Sequence, residues 1–205
     1  MNNNLAKRLI SSLIILPIAL VFIINGSLFF MFFLSILFLA TSYEWAIMCK
    51  KNNLLKLLGV IFLFISFYTT FKFRDNVNYN EFLFIITICI FTDIGGYIFG
   101  KIFKGKKLTS ISPNKTYAGM FGSFICSLII CMLFIKYFNF SNNLIIFTLI
   151  ISLVSQIGDL FFSYLKRKAK IKDTGNFLPG HGGLLDRLDG IIFAIPLGIK
   201  IFTFF

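Results

Sequence analysis

Seven apolar runs, at residues 9–24, 28–48, 57–71, 82–99, 118–135, 144–162 and 191–205, constrain this chain more than anything else in it. An α-helix needs roughly 20 apolar residues to cross the hydrocarbon of a bilayer. Hydrocarbon offers no partner to a backbone N–H or C=O, so a crossing segment must satisfy its own. The chain therefore reads as all-α: a polytopic integral membrane helix bundle of about seven transmembrane helices. Composition agrees, with 58% hydrophobic and only 14% charged residues, where a soluble chain carries about a quarter charged. Spans of this size leave the 205 residues no room for a separate soluble domain. The run at 9–24 follows Lys7-Arg8 and could be a secretory signal. Asn25-Gly26-Ser27 is a poor cleavage site, and further spans follow at once, so we read it as a span that stays.

The net charge of +12 is the next constraint. No basic face with base-stacking aromatics stands apart from the spans, so nucleic acid is not the expected partner. Anionic lipid and the bias of cytoplasmic loops explain the charge better. With the N-terminus in the cytoplasm and spans alternating, sixteen of the 20 Lys and Arg residues face inward, and Lys72, Arg74, Lys136 and Lys200 face out. That excess predicts N-in and C-out. Cys49, Cys89, Cys126 and Cys131 lie in or beside apolar runs without CxxC spacing, and read as small buried hydrophobes.

Chemistry concentrates in residues 155–190, SQIGDLFFSYLKRKAKIKDTGNFLPGHGGLLDRLDG. Half of the eight acidic residues are here (Asp159, Asp173, Asp186 and Asp189), with the sole histidine, His181, and six basic residues. Carboxylates beside hydrophobic spans are costly and usually functional. Asp159, Ser163 and Lys166 fall on one helix face, and Asp186 and Asp189 stand three apart at the entry to the last run. Hard oxygen ligands on separate helices suit Mg²⁺, which completes its shell with water and substrate phosphate. Lys and Arg would hold the remaining phosphate charge. Pro179-Gly180-His181-Gly182-Gly183 must be a loop whose amides can approach a ligand. His181 is open between a plain hydrogen-bonding role and general acid–base work.

Two earlier stretches are also polar. Residues 101–117, KIFKGKKLTSISPNKTY, read as a cytoplasmic loop that either sets topology or binds phosphate. Asp93 sits within a span, sharing a helix face with Gly96, Tyr97 and Gly100, and Gly96 with Gly100 permits close helix approach.

These residues resemble a known family. Ser163-x-Leu165-Lys166-Arg167, Lys172-Asp173-x-Gly175 and Leu178-Pro179-x-His181-Gly182-Gly183-Leu184-x-Asp186-Arg187-x-Asp189 are similar to the signature of phosphatidate cytidylyltransferases, the CDP-diacylglycerol synthases. Asp93-x-Gly95-Gly96-Tyr97-x-x-Gly100-Lys101 and Ser112-Pro113-x-Lys115-Thr116-x-x-Gly119 resemble that family's second recurring region. The likeness covers about residues 91–190, and the first 80 residues match only as apolar spans. It divides the chain into N-terminal transmembrane helices over 1–80 and a catalytic transmembrane region over 81–205.

The resemblance implies a Mg²⁺-dependent enzyme of the bacterial inner membrane, with its site on the cytoplasmic side. It would condense CTP with phosphatidate to CDP-diacylglycerol and pyrophosphate. By position, Asp159 and Asp186 would be the metal carboxylates, and Asp189 would bind a second metal or orient Arg187. Lys166, Arg167, Lys172 and Arg187 would hold phosphate. Ser112, Lys115 and Thr116 would line the polar cavity, with Ser163, His181 and Asp93 among the substrate-binding residues. A homodimer stays open. Two rival readings fit less well. The DGxxAR…GxxxDxxxD spacing of CDP-alcohol phosphotransferases is absent. A transporter would spread its polar residues through several spans rather than gather them at one membrane face.

Overall fold

The computed structural model describes residues 17–50, 52–76, 79–109, 111–112, 115–138, 141, 143–175, 177 and 182–202. Among these, regular structure is helical apart from isolated bridge residues, such as Lys107 paired with Thr116 and, in the signature loop, Gly182. The helices are α1 (17–25), α2 (Ser27–Met48), α3 (Asn53–Asn76), α4 (Tyr79–Phe103), α5 (Tyr117–Phe138), α6 (Leu144–Lys168) and α7 (Leu185–Phe202). Five of them, α2 to α6, are long and apolar enough to cross a membrane. The protein is an all-α, multi-pass membrane protein.

Helices run past the apolar stretches that predict them. The run at 57–71 is short for a span, yet α3 extends from Asn53 to Asn76. Asn52 caps it by accepting the Leu55 amide at 3.0 Å. The polar segment between the third and fourth apolar runs, 72–81, whose charges and asparagines read as a loop, is mostly helix, with residues 77 and 78 outside the described residues. Likewise α6 takes in Lys166, Arg167 and Lys168, and α7 takes in Asp186, Arg187 and Asp189. Once a helix is nucleated each added residue gains a hydrogen bond, so polar end residues join readily.

By its contacts the chain falls into two compact units. One comprises Met1–Tyr79 with Lys166–Leu188, and the other Asn80–Leu165 with Asp189–Phe205. In the first, α2 packs against α3. The Trp45 indole donates to the carbonyls of Leu55 and Lys56 at 3.3 and 3.2 Å. Its ring lies flat on Gly59, where a Cβ would come within 1.8 Å of it. Phe38 meets Phe64 and Phe67 edge-on. Arg74 reaches back to the carbonyls of Ile23 and Ile24 at 2.7 and 3.0 Å, satisfying two orphan acceptors where α1 ends.

In the second unit, α4 and α5 meet along glycine. A Cβ on Gly95 would lie 2.5 Å from the Gly122 carbonyl, and one on Gly119 would lie 2.7 Å from that of Gly96. Backbones this close are what small residues permit between membrane helices. Polar groups in the seam are paired. Ser123 donates to the Thr92 carbonyl at 2.7 Å, and Thr92 donates to Ser152 of α6 at 2.9 Å. Gly158 and Gly190 give α6 and α7 the same closeness, with Phe161, Phe162 and Phe193 meeting edge-on beside them.

Candidate functional site

The C-terminus of α6 aims the first cluster. The Lys170 amide bonds to the Arg167 carbonyl and the Ile171 amide to that of Lys166, both at 3.0 Å, with Lys170 at φ 59°. This left-handed turn reverses the chain after Lys168 and sends residues 171–175 back past the helix end. Lys166, in the last turn, then pairs with Asp186 in the first turn of α7, Nζ to Oδ1 at 2.7 Å. Asp186 Oδ2 accepts the amides of Thr174 at 2.8 Å and Gly183 at 3.1 Å. Its side chain is 7% exposed. Burial alone would push this carboxyl up. Hydrogen bonds from Lys166 and from the Thr174 and Gly183 amides outweigh burial and hold it below the ordinary carboxylate range. Gly182, at φ 85°, is the close approach, since a Cβ there would lie 3.3 Å from both Asp173 Cβ and Asp186 Oδ2. Glu44 of α2 completes the cluster with a carboxylate 2% exposed. It accepts the Thr174 hydroxyl at 2.9 Å and the Leu184 and Leu185 amides at 2.9 and 2.8 Å.

The second cluster belongs to the other unit. The loop before α5 is tied by the Leu108 amide on the Lys115 carbonyl at 2.8 Å and the Lys115 amide on that of Ser112 at 3.0 Å. Lys115 pairs with Asp159 Oδ2, and Ser163 donates to Asp159 Oδ1 at 3.4 Å. Thr116 caps α5, its hydroxyl accepting the Gly119 amide at 3.1 Å. Thr116, expected from the sequence to line a polar cavity, here starts a helix.

Arg167, Lys172 and Arg187 are exposed. Asp189 is buried and accepts the Gly190 amide at 2.9 Å. Asp93 lies on an exposed part of α4, while Gly95 beside it turns toward α5. His181 lies outside the described residues, as do Pro113, Pro179 and Gly180. Glu44 is the residue that reading the sequence missed. Its signal was an acid inside an apolar run, the same signal that singled out Asp93.

The donor set suits a hard cation. Asp159 and Asp186 each present a carboxylate with an ammonium on one oxygen, so each already stabilises positive charge at that atom. Among the described residues, Asp186 Oδ1 has a single donor, as has each oxygen of Asp159. A carboxylate oxygen takes about two partners, so both side chains keep capacity for a metal. Oxygen ligands in small number, with substrate phosphate and water completing the shell, fit Mg²⁺.

Apolar helices that end in carboxylate–ammonium pairs define an integral membrane protein whose two units each carry a polar cluster of oxygen and ammonium groups. A model of the cytidylyltransferase family matches residues 52–205. A phosphatidate cytidylyltransferase of Rickettsia felis is 34% identical over 206 aligned positions, covering 95% of this chain and 90% of that protein. Those of Staphylococcus haemolyticus and Staphylococcus saprophyticus are 42% and 40% identical over 138 and 146 positions, 65% and 69% of this chain. The chain belongs to the cytidylyltransferase family. Its match spans about half the length of the two staphylococcal relatives, 52% and 55%.

Proposed function

We propose that the protein condenses CTP with phosphatidate, giving CDP-diacylglycerol and pyrophosphate for phospholipid synthesis, at the cytoplasmic face of a bacterial inner membrane. The observation that carries this reading is the relation, along 95% of the chain, to a protein named phosphatidate cytidylyltransferase. The inward excess of basic residues supports the cytoplasmic side.

An oxygen of the phosphatidate phosphomonoester attacks the α-phosphorus of CTP. The new P–O bond forms as the bond from the α-phosphorus to the β-phosphate oxygen breaks, and pyrophosphate leaves with that electron pair. Both reactants are anions, so the protein's task is to reduce repulsion and align the two phosphates; no protein nucleophile is needed. Arg167, Lys172 and Arg187, exposed around the first cluster, hold phosphate oxygens by charge-assisted hydrogen bonds. Lys166 exchanges part of its hold on Asp186 for substrate phosphate, and Lys115 does the same from Asp159. Ser112 and Ser163 offer hydroxyl donors nearby. Asp159 and Asp186 would hold Mg²⁺, which when bound supplies positive charge against the phosphate oxygens.

Release of pyrophosphate by the purified protein tests the reading. It should require CTP, phosphatidate and Mg²⁺ together. Release that ignores phosphatidate would remove the lipid from the reaction.

A further inference from the structure

Glu44 is an acid in the middle of an apolar sequence, FLATSYEWAIM, and it is buried to 2% exposure. A carboxylate so placed is costly unless its oxygens are fully used. Here, among the described residues, three donors reach it, and all three come from one remote segment: the Thr174 hydroxyl and the Leu184 and Leu185 amides. The two amides are the first orphan donors of α7, so Glu44 caps that helix from another helix. The segment is tailored to it. A Cβ on Gly175 would lie 2.7 Å from Glu44 Oε1, and one on Gly183 2.6 Å from Oε2 and 2.1 Å from Thr174 Oγ1. Thr174 and Gly183 also give Asp186 its two amides. Both ends of the Asp186 cradle are therefore fastened to one carboxylate on α2.

We propose that Glu44 is a positioning residue for the reaction, acting through the cradle it fastens. It touches no substrate. It holds the backbone of 174–175 and 183–185 so that Asp186 and Lys166 meet the reacting phosphates in one geometry. This rests on the functional reading above, in which Asp186 and Lys166 act on those phosphates.

The test compares Glu44→Ala, Glu44→Gln and Thr174→Val with wild type, as full-length protein in detergent, by steady-state kinetics and residue-resolved amide hydrogen exchange. The Thr174 and Gly183 amides bond to Asp186 and not to Glu44, so they report the cradle rather than the lost acceptor. In Glu44→Ala both should exchange faster while amides of α5 do not change. Its kcat should fall about 100-fold, the cost of misplacing a group by about 1 Å. KM for CTP and phosphatidate should stay near wild type, because geometry at the reacting centre is lost rather than binding. Glu44→Gln should recover part of kcat. With its carbonyl oxygen in the place of Oε2 it accepts the Leu185 amide and the Thr174 hydroxyl, while its NH2 faces the Leu184 amide and loses that bond. Thr174→Val should shift both readouts the same way, by less, leaving α2 untouched. Should Glu44→Ala fail to fold, the other two variants decide. Unchanged exchange at Thr174 and Gly183, or faster exchange with wild-type kcat, overturns the proposal. A wild-type protein inert toward CTP and phosphatidate would instead fail the functional reading, and exchange would still decide whether the clamp exists.

Discussion

Two aspartates differ from their neighbours by the ammonium each carries. Asp186 is nearly buried under Lys166 and two amides, and Asp159 is paired with Lys115 and Ser163. Asparagine keeps the shape of either side chain but removes the charge a cation needs. Asp159→Asn and Asp186→Asn should each lose nearly all pyrophosphate release in protein that remains folded, and raised Mg²⁺ should restore little. Asp173→Asn should lose less, since Asp173 is exposed at the edge of the cradle. Near wild-type turnover in Asp159→Asn would end the metal assignment. Arg187→Ala should cost about 1.5–3 kcal/mol, roughly 10- to 150-fold in rate, through one charge-assisted contact. Exposed Lys168 should tolerate alanine in the same assay. At this scale the clustering of acids in residues 155–190 made Asp186 and Lys166 legible as candidates. Their pairing was not legible, because it depends on a left-handed turn at Lys170, a residue type that rarely adopts one. Glu44 escaped notice because its partners are 130 to 141 residues away in sequence.

Helix packing sets how much each element tolerates. Gly95 and Gly119 have the backbone of the facing helix where a Cβ would go, and backbone cannot rotate aside. Gly95→Ala and Gly119→Ala should each destabilise the protein by about 1–3 kcal/mol, the usual penalty of overpacking. Thermal unfolding in detergent should show it as a lowered Tm, and an unchanged Tm would mean that α4 and α5 do not pack this closely. Thr116 separates two roles. As the cap of α5 its loss to alanine should cost about 1 kcal/mol, and Thr116→Asp should restore stability because aspartate also caps. Turnover that follows stability in both variants would make Thr116 a cap alone. Turnover lost in both, with stability recovered in Thr116→Asp, would give it a substrate role. The apolar runs foretold the elements well, but not their ends. Polar residues at 72–76 and 101–103 read as loop, and they fold as helix because the preceding apolar turns are already in place.

For the whole molecule, the charge distribution predicts a sidedness that labelling can check. In a chain whose four cysteines are replaced, Lys106→Cys and Lys168→Cys should react only with a membrane-permeant reagent. Lys136→Cys, at the exposed end of α5, should react from outside. Labelling of Lys168→Cys from outside would reverse the orientation. Multi-pass character was legible because a bilayer imposes one length and one backbone solution on every span. Grouping of the chain was less so. The signature segment joins the N-terminal helices in one compact unit, and only buried contacts such as those of Glu44 reveal that. The chemistry proposed for this membrane protein has one direct test. Supplied with phosphatidate, Mg²⁺ and CTP labelled at the α-phosphorus, the purified protein should move the label into the lipid phase. With the label at the γ-phosphorus, it should appear only in aqueous pyrophosphate. An α-label that stays in water, or a γ-label that enters lipid, would contradict condensation at the α-phosphorus.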